Sequence, residues 1–142
     1  MRLEAQLSRP GPYDDAGDDA AASRAGRRPM SRILVVTNDF PPRAGGIQAF
    51  VHAMTTRLHE IADHVVVYAP RWEGAAAFDA AQPFGVVRHP TSLMLPTPGV
   101  GRRAAALLRE YRCDAVWFGA AAPLGLLAPG LRKAGARRIV AT

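Results

Sequence analysis

Short apolar runs alternate with amphipathic segments along the chain from Met30 onward. The runs consist mainly of Ile, Leu, Val, Phe and Trp, and each has the length of a buried strand. They predict five strands, at 32–37, 64–69, 84–88, 114–118 and 137–141. Because the strands are nearly all apolar, rather than apolar at every second residue, we expect both of their faces to be covered, as in a parallel sheet.

Helical spacing separates these strands. Apolar residues recur at intervals of three and four over 47–61 and over 100–111, which predicts two amphipathic helices. A third helix is expected over 123–134, broken or delayed by an internal proline. The segments 71–83 and 89–98 lack such spacing, and the second of them holds three prolines, so both are predicted to be connections.

Alternating strands and helices are typical of an α/β fold with helices on both faces of the sheet. Right-handed crossovers then give a Rossmann-like, three-layer fold with about five parallel strands in the order 3-2-1-4-5. A length of 142 residues favours one domain, which we place at 30–142. Residues 1–29 are rich in Ala, Asp, Arg, Gly and Pro, so we expect them to be disordered and Met30 to be the true start.

The formal charge of +6 lies entirely on the predicted domain, because residues 1–29 carry five basic and five acidic side chains. A basic surface favours phosphates or anionic lipid head groups as partners. Only one of the 18 basic residues is lysine, a bias that often reflects a GC-rich genome, so the charge does not point to nucleic acid. The single Cys113 precludes an internal disulfide and suits a cytoplasmic protein. No apolar run approaches the ~20 residues needed to span a membrane.

A glycine pair, Gly45 and Gly46, stands where the first predicted strand leads into the first helix. The unpaired N–H groups and the dipole of a helix start face such a loop, and glycine lets a ligand approach the backbone. A phosphate or a sugar hydroxyl is the ligand that this junction favours. Arg43 adds a guanidinium beside it, and the Gln48 amide suits a polyol because it both donates and accepts hydrogen bonds.

Each of these residues also has a purely structural interpretation. The glycines fit a tight turn that needs a positive φ, with Arg43 merely solvated, and Gln48 fits a polar residue that faces solvent from the first helical turn. The second predicted helix likewise has a functional and a structural interpretation. Its basic residues lie opposite its apolar stripe. These residues are Arg102, Arg103, Arg109 and Arg112. Such a face fits an anionic membrane surface or simple solvation.

Several familiar motifs are absent. Neither G-x-G-x-x-G nor G-x-x-x-x-G-K-[ST] occurs, and the second strand ends in Tyr68-Ala69-Pro70 without the acidic residue that holds an NAD ribose. The four histidines are dispersed, so no metal site is expected. Trp72 and Trp117 are predicted to pack in the protein rather than to stack on bases, because no motif for reading DNA or RNA accompanies them.

The segment ILVVTNDFPPRAGGIQAFV at 33–51 resembles the amino-terminal start of glycosyltransferase family 4 enzymes, which have the GT-B fold. Two later segments narrow this resemblance, FDAAQPFGVVRHPTSLMLPTP at 78–98 and CDAVWFGAAAPLGLLAPGLRKAGARRIVAT at 113–142. Together the three look like the actinobacterial enzymes that transfer mannose from GDP-mannose to phosphatidylinositol mannosides. The resemblance covers 30–142, which is the whole predicted domain.

This resemblance implies a retaining, metal-independent transfer of mannose from GDP-mannose to a lipid-linked inositol acceptor, with no cofactor. GT-B enzymes work between two Rossmann-like domains, with the acceptor mostly on the amino-terminal domain and the nucleotide mostly on the other. On this chain, Gly45 and Gly46 would face the donor phosphate and the transferred sugar. Gln48 would contact the acceptor polyol, and Arg43 would lie beside the acceptor entrance.

The resemblance further implies that Arg102 and Arg103 touch the membrane, with the protein peripheral on its cytoplasmic face. In such enzymes a Thr-His-Gly-His-Glu-like segment follows the fifth strand, and its first histidine is important for catalysis. Here the sequence stops at Thr142, so no catalytic residue is assigned within it. The nucleotide-binding domain is also missing, so the resemblance implies a truncated half that is inactive by itself.

Two other classes of protein are compatible with parts of the sequence. A stand-alone module that binds phosphoinositides or another anion would use the loop before the first helix that holds Gly45 and Gly46, called the glycine loop below, and the basic face of the second helix, without catalysis. A Rossmann-like nucleotide domain of another enzyme would share the fold. The missing acidic residue after the second strand disfavours this last class.

Overall fold

The computed structural model describes residues 31–142, and five strands in this part of the chain pair in parallel as one sheet. The strands are β1 (Arg32–Val36), β2 (His64–Pro70), β3 (Gly85–His89), β4 (Ala115–Phe118) and β5 (Arg138–Ala141). Their order is β3-β2-β1-β4-β5, so the predicted fold class and topology are confirmed. The expectations about residues 1–29 and about Met30 lie outside the described residues.

Helices connect these strands. They are α1 (Gly46–Ile61), α2 (Ala75–Ala80), α3 (Pro98–Glu110) and α4 (Ala128–Lys133), with a 3₁₀ turn (Leu124–Leu127) before α4. The sequence predicts a connection over 71–83, which is wrong for the part that forms α2. Its alanines favour a helix, but six residues are too few to display helical apolar spacing. The internal proline of the third predicted helix, Pro129, lies in the first turn of α4, where its missing N–H has little cost.

The side chains of β1 alternate between the two faces of the sheet. Leu34 and Val36 belong to an apolar cluster with α3 and α4, whereas Ile33 and Val35 belong to a second cluster with α1. The connections from β1 to β2 and from β4 to β5 run in opposite directions along the sheet, so right-handed crossovers place their helices on opposite faces. The strand order thus reverses at β1, and the carboxyl edge beside such a reversal is where open α/β sheets bind ligands.

α1 covers less of the sheet than its apolar spacing suggests. Its buried residues form one stripe, consisting of Gln48, Val51 and Thr55. Phe50 and Met54 remain exposed and border a groove of about 340 Å³ that β4 and the edge strand β5 also line, through Trp117 and Val140. We call the groove lined by these four side chains the apolar groove. The apolar face predicted for this helix is therefore only partly buried within the described residues.

The histidine that opens β2 makes the stability of the fold sensitive to pH. His64 stacks on Tyr111 with 5.4 Å between ring centroids, and its Nε2 is sealed from solvent without a hydrogen-bond partner among residues 31–142. Burial, together with the charges of Arg32 and His59, lowers the pKa of His64 below its usual 6.5. The folded protein therefore holds this ring neutral at a pH where the unfolded chain already binds a proton.

The free energy of unfolding is consequently expected to fall as the pH drops below about 6.5, since protonation then favours the unfolded chain. Urea denaturation at pH 7.5 and at pH 5.5 measures the difference. His64→Phe keeps an aromatic ring against Tyr111 and removes the titrating group, so its loss of stability between the two pH values should be smaller. An equal loss in both proteins would contradict the assignment to His64.

Candidate functional site

The loop that follows β1 is tied to its surroundings by the polar residues with which it begins. The Thr37 hydroxyl is buried and accepts a hydrogen bond from the Asp39 N–H at 2.9 Å. The Asn38 amide donates to the Met94 carbonyl oxygen at 3.0 Å and accepts from the Met94 N–H at 2.7 Å. Asn38 therefore fixes the connection after β3 against the loop after β1, at the carboxyl edge of the sheet.

α1 begins at the glycine pair with its amino terminus open. The first intrahelical bond of this turn runs from the Ala49 N–H to the Gly45 carbonyl oxygen at 3.0 Å, and no side chain of the described residues caps the helix. The N–H groups of Gly46, Ile47 and Gln48 therefore precede the helical ladder. Gly45 and Gly46 are both exposed, so a ligand reaches this terminus without displacing other parts of the fold.

The two glycines are not equivalent. Gly45 has a φ of +151°, and a Cβ added there would lie 2.1 Å from Gln48 Oε1. A Cβ added at Gly46 would meet nothing within 4 Å. Gly45 is therefore required by the conformation of the turn, whereas the absence of a side chain at Gly46 leaves open space over the start of the helix. The turn interpretation is thus supported at Gly45, and space for a ligand is left over Gly46.

Gln48 does not face solvent, so the structural alternative considered for it is wrong. Its side chain is only 7% exposed and folds back toward the helix start, with Nε2 at 3.4 Å from an Asp39 carboxylate oxygen. The spacing of α1 carried a signal for this placement, because Gln48 lies three residues before the buried Val51. Gln48 therefore forms the floor of the glycine loop.

Arg88, at the end of β3, stabilises the loop after β1 through its guanidinium. The sequence analysis did not identify this residue. Its Nε and Nη2 donate to the Asp79 carboxylate at 3.1 and 2.8 Å. Nη1 donates to the Pro70 carbonyl oxygen at 2.9 Å, and Nη2 donates to the Pro41 carbonyl oxygen at 2.7 Å. The guanidinium also lies 5.6 Å from the centroid of the Phe40 ring. One side chain thus joins the ends of β2 and β3, α2 and the loop after β1.

Arg43 is exposed but is not merely solvated. Its guanidinium carbon lies 5.1 Å from the centroid of the Trp72 ring, within the range of a cation–π contact. Trp72 itself is 38% exposed and packs against Arg43 at the surface, whereas Trp117 is 7% exposed and packs in the interior. Arg43 therefore links the glycine loop to Trp72, which lies on the segment after β2.

The basic residues of α3 are all exposed, but they do not all line the same depression. Arg102 and Arg109 line a depression of about 680 Å³ next to α4, where Leu126 is 75% exposed. Arg103 is exposed but does not line this depression; burial raises the pKa of Tyr68, and the charge of Arg103 opposes that rise. Arg102 thus lies among basic and apolar groups, whereas Arg103 lies toward the end of β2.

Gly119 is a further site residue that the sequence analysis missed. It follows β4, and an added Cβ would lie 2.6 Å from Thr37 Oγ1 and 3.3 Å from Val51 Cγ2. Only glycine allows the end of β4 to approach the end of β1 and α1 this closely. A glycine directly after a buried strand was the available signal.

Other candidate chemistry is limited in the part of the chain that the structure describes. Residues 31–142 contain no group of three or more His, Cys, Asp or Glu side chains placed to hold a metal ion. Burial raises the pKa of the Cys113 thiol to about 11, which agrees with an unreactive side chain. None of the helices over 31–142 has both the length and the apolar character needed to cross a bilayer.

Comparison with known proteins found close relatives among curated enzymes, although no protein-family model matches the chain. A "GDP-mannose-dependent alpha-(1-6)-phosphatidylinositol monomannoside mannosyltransferase" of Mycobacterium tuberculosis is 55% identical over 117 residues, which are 80% of this chain and 30% of that protein. The protein of that name in Mycolicibacterium smegmatis is 53% identical over 116 residues, 78% of this chain and 29% of the relative.

A third relative comes from Corynebacterium glutamicum and is named "GDP-mannose-dependent monoacylated alpha-(1-6)-phosphatidylinositol monomannoside mannosyltransferase". It is 43% identical over 113 residues, which are 78% of this chain and 29% of that protein. The chain therefore spans 29–30% of the length of these curated relatives. Each aligned region takes in most of the residues that the structure describes.

Proposed function

We propose, on the premise that this chain belongs to the same glycosyltransferase family as these relatives, that it forms the acceptor-side half of a retaining mannosyltransferase. The resemblance to glycosyltransferase family 4 is confirmed by the identity of 43–55% to those enzymes. The proposed donor is GDP-mannose, and the proposed acceptor is a phosphatidylinositol mannoside. Because the chain spans 29–30% of its relatives, we do not expect it to transfer mannose by itself.

One observation carries this proposal, namely the open amino terminus of α1 at the carboxyl edge of the sheet. Its free N–H groups and the positive end of its dipole suit the diphosphate that leaves GDP-mannose. Stabilising the charge on that leaving group lowers the barrier to breaking the glycosidic bond. Gly45 and Gly46 are therefore assigned to the donor phosphate and the transferred sugar.

The acceptor side is assigned to Gln48 and Arg43. The Gln48 amide lies at the floor of the loop, where it retains donor and acceptor capacity for a polyol hydroxyl. Arg43 carries the positive charge nearest to the glycine pair along the loop and suits the phosphodiester of a lipid acceptor. No metal, cofactor or nucleic acid enters the proposed reaction.

Membrane contact is assigned to Arg102 and Arg103, with the protein peripheral on the cytoplasmic face. Support for Arg102 comes from its position beside Arg109 and the exposed Leu126, because cations next to an apolar side chain suit the boundary between head groups and acyl chains. Arg103 lies away from this group, so its contribution is expected to be electrostatic only.

The proposal is tested by a chimera in which residues 31–142 replace the matched region of the M. tuberculosis relative. With GDP-mannose and a phosphatidylinositol mannoside, the chimera should form a product that carries one more mannose. The isolated chain and the relative without its matched region should form none. A chimera that folds, as judged by circular dichroism and cooperative unfolding, but transfers no mannose would contradict the proposed function.

The competing interpretation as a stand-alone phosphoinositide-binding module is not favoured, because the relatives named above are enzymes. The interpretation as the nucleotide domain of another enzyme gains no support either, since β2 ends in Pro70 and not in an acidic residue.

A further inference from the structure

An open depression of about 630 Å³ lies beside the glycine loop, at the carboxyl ends of β2 and β3. It is lined by Arg71, Trp72, Glu73, Pro90, Thr91 and Ser92. None of these residues was assigned a role by the sequence or by the proposed function. Its size is that of a small-ligand site.

The depression is held in shape by backbone hydrogen bonds. The Arg71 N–H donates to the carbonyl oxygens of His89 and Thr91, both at 2.9 Å, and so joins the two segments that form its walls. The Thr91 hydroxyl donates to the Leu93 carbonyl oxygen at 2.8 Å, which stabilises the turn on one side. A ligand would therefore enter a site that is already ordered, with little loss of chain entropy.

Trp72 is the feature of this depression that packing does not explain. The indole is 38% exposed, although burying an aromatic ring of this size is favourable, and it lines the depression. The guanidinium of Arg43 lies over one face of the ring, 5.1 Å from its centroid, so a ligand would stack on the opposite face with a positive charge close by. A flat apolar surface next to a cation suits a ring with C–H groups on its face and a phosphate at its edge.

The remaining side chains match the rest of such a ligand. Arg71 supplies a second guanidinium for a phosphate oxygen, and the Glu73 carboxylate accepts hydrogen bonds from ring hydroxyls. Ser92 adds a hydroxyl that both donates and accepts. With two guanidinium groups against one carboxylate, Arg43 included, the site favours an anionic polyol over a neutral one.

The depression is also continuous with the glycine loop. A Cβ added at Gly74 would lie 3.8 Å from Pro42, so the segment after β2 packs directly on the loop after β1. Arg43 belongs to that loop and reaches Trp72. A ring bound on Trp72 would therefore have its phosphate on the side of the uncapped α1 terminus.

We infer that this depression is a subsite for the ring of a phosphorylated cyclic polyol, with Trp72 stacked on the ring and Arg43 and Arg71 on the phosphate. The inference rests on the proposed function, since an inositol phosphate is the portion of the proposed acceptor that has this chemistry. It adds Trp72, Arg71 and Glu73 to the residues that select the acceptor.

Tryptophan fluorescence tests the inference because the chain has only two tryptophans, Trp72 and the buried Trp117. The full chain is titrated with inositol 1-phosphate, with myo-inositol and with inorganic phosphate. Inositol 1-phosphate should change the emission saturably, and Trp72→Phe should abolish that change because only Trp117 remains. The other two ligands should bind at least about tenfold more weakly, since each supplies half of the contacts.

Calorimetry of the same binding gives a readout that does not depend on the fluorophore. Trp72→Ala should lower the affinity for inositol 1-phosphate about tenfold, the loss expected for one stacked ring. Phe50→Ala is the matched control, because Phe50 is an exposed aromatic residue in the apolar groove, and its affinity should equal that of the unchanged chain. Cooperative unfolding of each variant is checked by circular dichroism.

The inference is overturned if Trp72→Ala binds inositol 1-phosphate as tightly as the unchanged chain, or if inorganic phosphate binds equally well. Either result would leave an anion site without ring recognition and would not affect the proposed transferase function, which the chimera judges separately. Absence of any binding of inositol 1-phosphate to the unchanged chain at millimolar concentration would also overturn it.

Discussion

Replacing Arg88 by alanine should lower the free energy of unfolding by about 3 kcal/mol, because it leaves the Asp79 carboxylate and two carbonyl oxygens without their donor. The side chains of Arg88 and Asp79 are 11% and 18% exposed, so water replaces little of what is lost. The loop after β1 would also lose its tie at Pro41. Urea denaturation measures the change in stability.

The control for this substitution is Arg57→Ala, which removes an exposed arginine from α1 and should change the stability by less than about 0.5 kcal/mol. Amide hydrogen exchange adds a local readout, since Arg88→Ala should speed exchange in 38–45 more than in β4. Equal stability of the Arg88 and Arg57 variants would show that the network contributes nothing to the fold.

Gly45→Ala and Gly46→Ala are expected to differ sharply although the positions are adjacent. At Gly45 the new Cβ meets Gln48 Oε1, and the φ of +151° is unfavourable for any residue with a side chain. The expected loss of stability is about 1–3 kcal/mol. At Gly46 the new Cβ meets nothing, so the change should be neutral or stabilising by about 0.4–1 kcal/mol.

Adding Gln48→Ala to Gly45→Ala separates the two causes. The double variant loses the atom that clashes but keeps the unfavourable backbone angle, so it should recover only part of the stability lost. Urea denaturation measures the free energy of unfolding of the unchanged chain, the two glycine variants and the double variant. If Gly45→Ala and Gly46→Ala were equally stable, the turn would not require glycine at position 45.

The sheet was predictable because its determinants are local. Each strand is a short apolar run between helical segments, and right-handed crossovers leave few possible topologies, of which the predicted order is the observed one. The exposed glycine pair was predictable for the same reason, since a strand and a helix flank it. α2 was not, because a six-residue helix has fewer than two turns and is too short to show a repeated apolar spacing.

The hydrogen bonds that hold the loops of the site in place join residues far apart in the sequence, so the local spacing of apolar residues does not predict them. Arg88 and its acceptor on Pro41 are 47 residues apart, and Asn38 and Met94 are 56 residues apart. Sequence alone likewise did not reveal the contact between Trp72 and Arg43, because the two residues belong to different connections, after β2 and after β1. These positions follow only from the assembled sheet, which brings the ends of β1, β2 and β3 together.

The apolar groove is the surface at which we expect molecules of this chain to associate when salt is added. Phe50, Met54 and Val140 expose apolar surface beside an edge strand, and excluded salts such as ammonium sulfate favour hiding such surface. Salting-out should therefore drive molecules together at this face before the rest of the protein is affected. At low ionic strength the net charge of +6 is less screened and keeps the molecules apart. Because α1 leaves the groove exposed, the protein should stay dispersed best under that condition.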